Sequence, residues 1–243
     1  MPRGSDLVVV GDVHLDRDDR DLDPFLAYLR SLAASAGRIV LMGDLFNLWI
    51  GAPDLEQEHH RAVIGALREL RRSGVATHYL EGNRDYRIGT AHAGDAFDEV
   101  ATGGLDETWG GRRLFAVHGD LVNARDRQYR VWRRLSRSAP AWWVFSAIPR
   151  ARRFALAERL ERSLRGTNLD QKGAFPEGLA RAYAAPYFAR GYDALVLGHF
   201  HVEKEIGPAA SGPSGRIYVL PEWKGSRRHL RVTADGTIRF EGS

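Results

Sequence analysis

Five short apolar runs in this chain end beside a side chain able to bind a metal, and this recurrence constrains the fold more than any other feature. "LVVV" (7–10) leads into Gly11-Asp12-Val13-His14, and "RIVLM" (38–42) into Gly43-Asp44. "THYL" (77–80) leads into Gly82-Asn83, "RLFAV" (113–117) into His118-Gly119-Asp120, and "ALVL" (194–197) into Gly198-His199-Phe200-His201. Short runs of this kind, rich in Val, Ile and Leu and closed by glycine, read as buried strands. A sixth run, "RIYVL" (216–220), follows, and "ADGTIRF" (234–240) reads as a closing hairpin. The first three runs alternate with helix-like stretches around 22–35 and 56–73, which predicts an α/β protein with partly parallel strands. From about 124 to 189 the pattern turns arginine-rich and aromatic-rich, and predicts a helical lid inserted within a single domain spanning 1–243.

The carboxyl ends of strands in such a sheet are where loops converge and ligands bind. Asp12 and His14 are two residues apart, as are His199 and His201, so extended backbone points both members of each pair to one side. The donors gathered at the strand ends are Asp12, His14, Asp44, Asn83, His118, His199 and His201. Imidazole mixed with carboxylate suits Mn, Fe, Zn or Co, whereas Mg and Ca prefer cages made of oxygen alone. So many donors exceed one ion and fit two divalent ions sharing a carboxylate, the arrangement that clamps both the attacking and the leaving oxygen of an in-line displacement at phosphorus. A Gly-Asp pair alone is usually a turn and a buried His alone usually a core residue; all five motifs in register decide for a metal site. His59, His60, His78, His92 and His229 fall outside the set and read as structural or exposed. The acidic run "LDRDDRDLD" (15–23) reads as a solvated loop.

There is no cysteine, which removes disulfides, thiolate sites and thiol nucleophiles and fits a cytoplasmic setting. "MPRGSDLVVVGDVHL" meets Asp12 too soon for a secretory signal and reads as a first strand. No apolar stretch approaches the roughly 20 residues that span a bilayer. Net charge is +4, but 12 arginines against Asp126, Glu158 and Glu161 lie between Arg125 and Arg165. Such a patch suits an anionic partner, an acidic membrane surface among them. No base-reading module accompanies it, so nucleic acid is not expected, and nothing points to a protein partner.

The set D-x-H, G-D, G-N, H-G-D and G-H-x-H resembles the calcineurin-like metallophosphoesterases. That resemblance implies two mixed β-sheets packed as a sandwich with helices outside. It implies one metal held by Asp12, His14, Asp44 and His201, and a second held by Asp44 as bridge with Asn83, His118 and His199. Where most of that superfamily carries His after G-N, this chain has Arg84. Arginine stays protonated and cannot supply a proton near neutrality, but its planar fork grips phosphate oxygens. A phosphate leaving group, with a second pKa of about 6, needs no such proton. The exchange therefore points to cleavage of a pyrophosphate bond, with Arg84, Asn83 and His118 as the catalytic set.

The G-N-R-D-Y form narrows the resemblance to the UDP-2,3-diacylglucosamine pyrophosphatases of lipid A biosynthesis, and "GDLFNLWIG" (43–51), "HGDLVNARDRQYRVWR" (118–133) and "VLPEWKGS" (219–226) agree with it. The resemblance implies substrate contacts at Trp49, Asn83, Arg84, Asp126, Tyr129, Arg165, Asn168, Lys172 and His199, and release of UMP and 2,3-diacylglucosamine 1-phosphate. It implies an acylated sugar nucleotide as substrate, two ions that are most often Mn, and a cytoplasmic enzyme peripheral to the inner membrane. "GHFHVE" (198–203) stands where that family reads G-H-T-H-R-P. "SAPAWWVFSAIP" (138–149) is too short to span a membrane and suits either an acyl-chain cavity or packing of the lid on the core. A related phosphodiesterase or nucleotide pyrophosphatase acting on a soluble substrate is the alternative.

Overall fold

The computed structural model describes residues 5–165, 175–208 and 214–243. Two mixed sheets face each other. The first takes β1 (Asp6–Val10), β2 (Ala36–Leu41), β4 (Ala76–Leu80), β6 (Glu99–Ala101), β12 (Arg228–Val232) and β13 (Ile238–Gly242) in the order β13-β12-β1-β2-β4-β6. The second takes β7 (Leu105–Trp109), β8 (Arg112–Val117), β9 (Ala194–Leu197), β10 (Lys204–Ile206) and β11 (Arg216–Val219) in the order β10-β11-β9-β8-β7. Two short strands, β3 (Trp49–Ile50) and β5 (Asp85–Tyr86), pair parallel beside them. All six apolar runs are strands, and β12 and β13 form the closing hairpin.

Alternation along β1 sets the layers. Leu7 and Val9 face Leu114, Ala116 and Val196 across the sandwich, while Val8 and Val10 face out under helices α1 (Leu22–Ser31) and α2 (Glu58–Arg72). A strand buried on both faces has to be apolar at every position, which is why β1 reads as an unbroken run. β1, β2, β4 and β6 run parallel, so the loops after β1, β2 and β4 leave from the same edge. β8 and β9 are also parallel and deliver the other two motif loops. A short α3 (Ile88–His92) follows β5.

The helical stretch contains α4 (Arg127–Ser136), α5 (Ala139–Ala147), α6 (Arg150–Arg165) and α7 (Glu177–Phe188), and it divides. α4 and α5 bury no residue, as expected of a lid. α7 does not belong with them: Ala180 and Ala184 pack fully buried against Leu195, Leu197 and Ile217 on the outer face of the second sheet. The stretch 124–189 is therefore not uniform, because α7 is the layer that shields β9 and β11 from water. The acidic loop 15–23 is likewise more than a solvated run. Asp19 takes the ammonium of Lys224 and Asp21 the guanidinium of Arg227, which ties the loop to α8 (Trp223–Ser226) and its C-cap.

The histidines outside the motifs are buried. His78 bonds Glu107 (2.8 Å) and His92 bonds Glu56 (2.6 Å), but neither ring nitrogen of His229 has a hydrogen-bond partner among the described residues. Burial, helped by the nearby Arg231 charge, pushes the His229 imidazole down to about 4. The unfolded chain takes up this proton below about 6.5 and the folded chain does not, so the contribution is intact above that pH and drains away toward pH 4. His229→Leu is expected to raise the urea midpoint at pH 5 and to flatten its fall between pH 7 and pH 5. The effect should be on the order of 1–3 kcal/mol, and parallel curves for the two proteins would contradict it.

Candidate active site

The five motif loops converge at one end of the sandwich. His14 Nε2 lies 3.0 Å from His201 Nε2, and Asp12 Oδ1 lies 3.9 Å from the first and 3.6 Å from the second. Asn83 Oδ1 lies 2.9 Å from both His118 Nε2 and His199 Nδ1, and His118 Nε2 is 3.7 Å from Asp44 Oδ2. Residues 187 positions apart in sequence thus share one cluster.

Local backbone explains how each loop presents its donor. Asp12, His14, Asp44, His199 and His201 all have left-handed φ, from 50° to 72°. This conformation is rare for residues with a side chain and concentrates at functional sites, where surrounding packing holds it. Gly43, at φ 78°, makes the turn before Asp44, where any Cβ would strike the Gly82 amide at 2.4 Å. Backbone amides fix the carboxylates: Asp12 Oδ2 accepts from His199 N (2.8 Å), and Asp44 Oδ1 from Arg84 N (2.9 Å). His118 donates its Nδ1 proton to the Met42 carbonyl (2.8 Å), which fixes the tautomer and turns the Nε2 lone pair into the cluster.

The electrostatics are those of a crowded anionic pocket. Burial alone would raise the Asp12 carboxyl, but the imidazoles of His201, His118 and His14 around it outweigh that and hold it below the usual range. Burial raises Asp44 against the opposing pull of His118. Burial would lower His118, yet Asp44 and Asp12 lift it to about 9. His199 drops to about 4 through burial and the neighbouring His118.

Two groups of side chains bring one donor atom each within 4.8 Å of one another: Asp12, His14 and His201, and Asp12, Asp44 and His118. Asp12 Oδ1 is buried without a hydrogen-bond partner among the described residues, and two imidazole nitrogens face each other at 3.0 Å beside it. This donor set fits divalent cations, which would take up the lone pairs that hydrogen bonds leave unused. Asp12 stands in both groups, whereas the family resemblance makes Asp44 the bridge.

Arg84 is 3 % exposed, with Nε 3.5 Å from Asp44 Oδ2 and a terminal NH group donating to Asn47 O (3.4 Å). Of the other expected contacts, Trp49 is withdrawn into the core. Trp49 is 1 % exposed and fills the core among Phe46, Tyr79, His92 and Phe97, because β3 pairs with β5 and turns its indole inward. Asp126 caps α4, accepting from Tyr129 N (2.9 Å), and the Tyr129 hydroxyl donates to Asp120 (2.5 Å). Arg165 ends α6 with its side chain outside the described residues, where Asn168 and Lys172 also lie.

Some participants were not singled out from the sequence. Asp85 Oδ2 accepts from both Asp44 N (2.9 Å) and Gly82 N (2.8 Å), joining two motif loops, and burial with the adjacent Asp44 raises it to about 6. Asp120 binds Arg133 (2.6 Å) as well as Tyr129. Arg137 donates to the Gly82 (2.5 Å) and Asp85 (2.8 Å) carbonyls and lies over the Tyr86 ring. Asp85 and Asp120 stand inside motifs read for their neighbours; Arg137 is one arginine among many and carries no local signal.

Beside the cluster, α4, α5 and α6 enclose an apolar cavity of about 320 Å³ lined by Ile50, Tyr86, Trp132, Trp142, Phe145 and Leu156. Tyr86 stands two residues after Arg84, so one loop serves both the donor cluster and the cavity.

The calcineurin-like phosphoesterase profile matches residues 6–203. A UDP-2,3-diacylglucosamine hydrolase of Pseudomonas putida is 30% identical over 236 residues, covering 95% of this chain and 96% of its own. A protein of the same name from Stenotrophomonas maltophilia is 30% identical over 235 residues, covering 93% and 94%. Among solved structures, an archaeal phosphodiesterase aligns with a TM-score of 0.48 at 10% identity, over 97% of this chain and 98% of its own. With the profile covering all five motif loops, this chain belongs to the calcineurin-like phosphoesterase family.

Proposed function

We propose that this metal-dependent hydrolase cleaves the pyrophosphate bond of UDP-2,3-diacylglucosamine, giving UMP and 2,3-diacylglucosamine 1-phosphate. The observation that carries the reading is the loop 83–87, which brings Asn83 and Arg84 to the donor cluster and sets Tyr86 and Arg87 in the wall of the apolar cavity. A substrate with a diphosphate joined to acyl chains needs those two environments side by side. The names of the full-length relatives from Pseudomonas and Stenotrophomonas support the same substrate.

Membership of a metallophosphoesterase family carries a requirement for divalent metal ions. Asp12, His14, Asp44 and His201 would hold one, and Asp44, Asn83, His118 and His199 the other; Mn, Fe, Zn or Co suits such mixed donors, and the family resemblance favours Mn. When bound, such a pair supplies positive charge against the attacking and leaving oxygens of an in-line displacement. The chain does the rest. Arg84 grips the oxygens of the transferring phosphoryl group and offsets the charge that grows on them. Because the departing group is a phosphate, no side chain has to hand it a proton. Trp142 and Phe145 offer the acyl chains an apolar lining.

Enzyme and substrate meet at a membrane surface in this reading, with the chain cytoplasmic and peripheral. Among the described residues no helix is long and apolar enough to cross a bilayer. Nearly all the large exposed hydrophobics are on the lid: Val131, Trp132, Leu135, Trp143, Val144 and Leu156. The test is UMP release by the Mn-loaded protein from UDP-2,3-diacylglucosamine in detergent, beside deacylated UDP-glucosamine and bis-p-nitrophenyl phosphate. Turnover confined to the acylated substrate is the expected result; turnover of the generic diester alone would remove the substrate assignment and keep the phosphoesterase.

A further inference from the structure

A second cavity lies on the other side of α4 from the apolar one. This cleft of about 790 Å³ runs between α4 and the segment 87–102 that carries α3 and β6, and its wall contains Arg87, Arg130, Arg133, Arg134 and Arg137. The helical repeat explains the concentration: positions 130, 133, 134 and 137 fall on one face of α4. Glu81 is the one carboxylate among the residues named on the wall, and it accepts the Ile88 amide (2.6 Å).

The five guanidinium groups divide by partner. Arg133 is neutralised by Asp120 (2.6 Å), and Arg137 is tied to the carbonyls of Gly82 and Asp85. Arg87 lies over the Trp142 ring at 5.0 Å and forms a partition, since it lines both cavities. No ion pair or side-chain hydrogen bond is found for Arg130 or Arg134 among the described residues, and both are exposed at the mouth. Unpaired guanidinium groups held around a concave surface repel one another, and the planar fork of each matches a phosphate oxygen pair. On the flank of the same helix, next to Arg130 and Arg134, Val131 and Leu135 stand 58 % and 59 % exposed.

We propose that this cleft is a second phosphate-binding site, separate from the donor cluster, and that its ligand is the headgroup of an acidic phospholipid. Arg130, Arg134 and Arg87 take the phosphodiester while Val131 and Leu135 enter the acyl region beside it. The apolar flank favours a lipid over a nucleic acid or an acidic protein, neither of which supplies an apolar layer next to its charge. The choice of a lipid rests on the membrane-facing reading above; the anion site itself does not. Bound there, a headgroup would seat α4 on the bilayer with the mouth of the acyl cavity, across the same helix, turned to the lipid.

The experiment is co-sedimentation of the full chain with vesicles of phosphatidylglycerol and phosphatidylcholine, against phosphatidylcholine alone. Arg130→Ala/Arg134→Ala is compared with Arg20→Ala/Arg72→Ala, which removes equal charge from exposed sites that do not line the cleft. The first pair is expected to weaken binding to the acidic vesicles about 20-fold and the second less than about twofold. Mn content and the far-UV circular dichroism spectrum should stay at wild-type values in both. Equal losses in the two pairs would reduce the effect to net charge and overturn the site, as would wild-type binding indifferent to phosphatidylglycerol. Binding of soluble glycerol phosphate, lost in the first pair, without any vesicle binding would overturn the lipid and leave a soluble phosphate ester as ligand. Acidic-vesicle binding by a protein that does not hydrolyse the acylated sugar nucleotide would sink the substrate assignment alone.

Discussion

Arg84→Ala is expected to lower kcat on the acylated sugar nucleotide by about 10²–10³-fold at saturating Mn, with little change in metal content. The loop itself should survive, because the Arg84 backbone amide, not the side chain, makes the 2.9 Å bond to Asp44 Oδ1. What disappears is a guanidinium held 3.5 Å from an Asp44 oxygen and 3 % exposed, where water cannot replace its charge. Arg84→Lys keeps the charge without the fork and should fall between the two. Arg84→His makes the idea sharper. It brings back a group able to donate a proton, so it should favour esters with alkoxide leaving groups while failing to restore pyrophosphate cleavage. Unchanged kcat/KM in the alanine variant would remove Arg84 from the mechanism.

Gly82→Ala should cut activity by on the order of 10²-fold or more although Gly82 itself supplies no donor. A Cβ at position 82 would sit 2.3 Å from Asp44 Oδ1 and 2.8 Å from His118 Cε1. Neither neighbour can yield: Asp44 is held by the Arg84 amide, and His118 by the Met42 carbonyl. Equilibrium dialysis with Mn followed by elemental analysis should find bound metal reduced at the second position, while circular dichroism reports an intact fold. Full metal content with normal turnover would show that the two loops can separate at no cost.

The strands and the loops that leave them were legible in the sequence for the same physical reason. A strand covered on both faces must be apolar throughout, and a chain leaving such a strand changes character abruptly, so Val10 to Asp12 or Leu197 to His199 stands out. The helical character of 124–189 was legible, but the packing of its last helix was not: α7 packs through Ala180 and Ala184, residues too small to mark a buried face by periodicity. The burial of Trp49 was not legible, because a motif match says nothing about which way a short strand turns an indole. The network of Asp85, Asp120 and Arg137 was hidden since its bonds run between loops distant in the chain, several of them to backbone groups that any residue possesses.

The left-handed backbone at Asp12, His14, Asp44, His199 and His201 means that selection acts on these positions twice, once for the donor atom and once for the torsion. Asparagine satisfies the torsion more readily than most residues and keeps an oxygen, glycine satisfies the torsion alone, and valine, isoleucine or threonine fails both tests. A descendant of this chain that lost its chemistry would therefore drift first toward asparagine and glycine at these positions, keeping the loops as a scaffold after the ligands had gone.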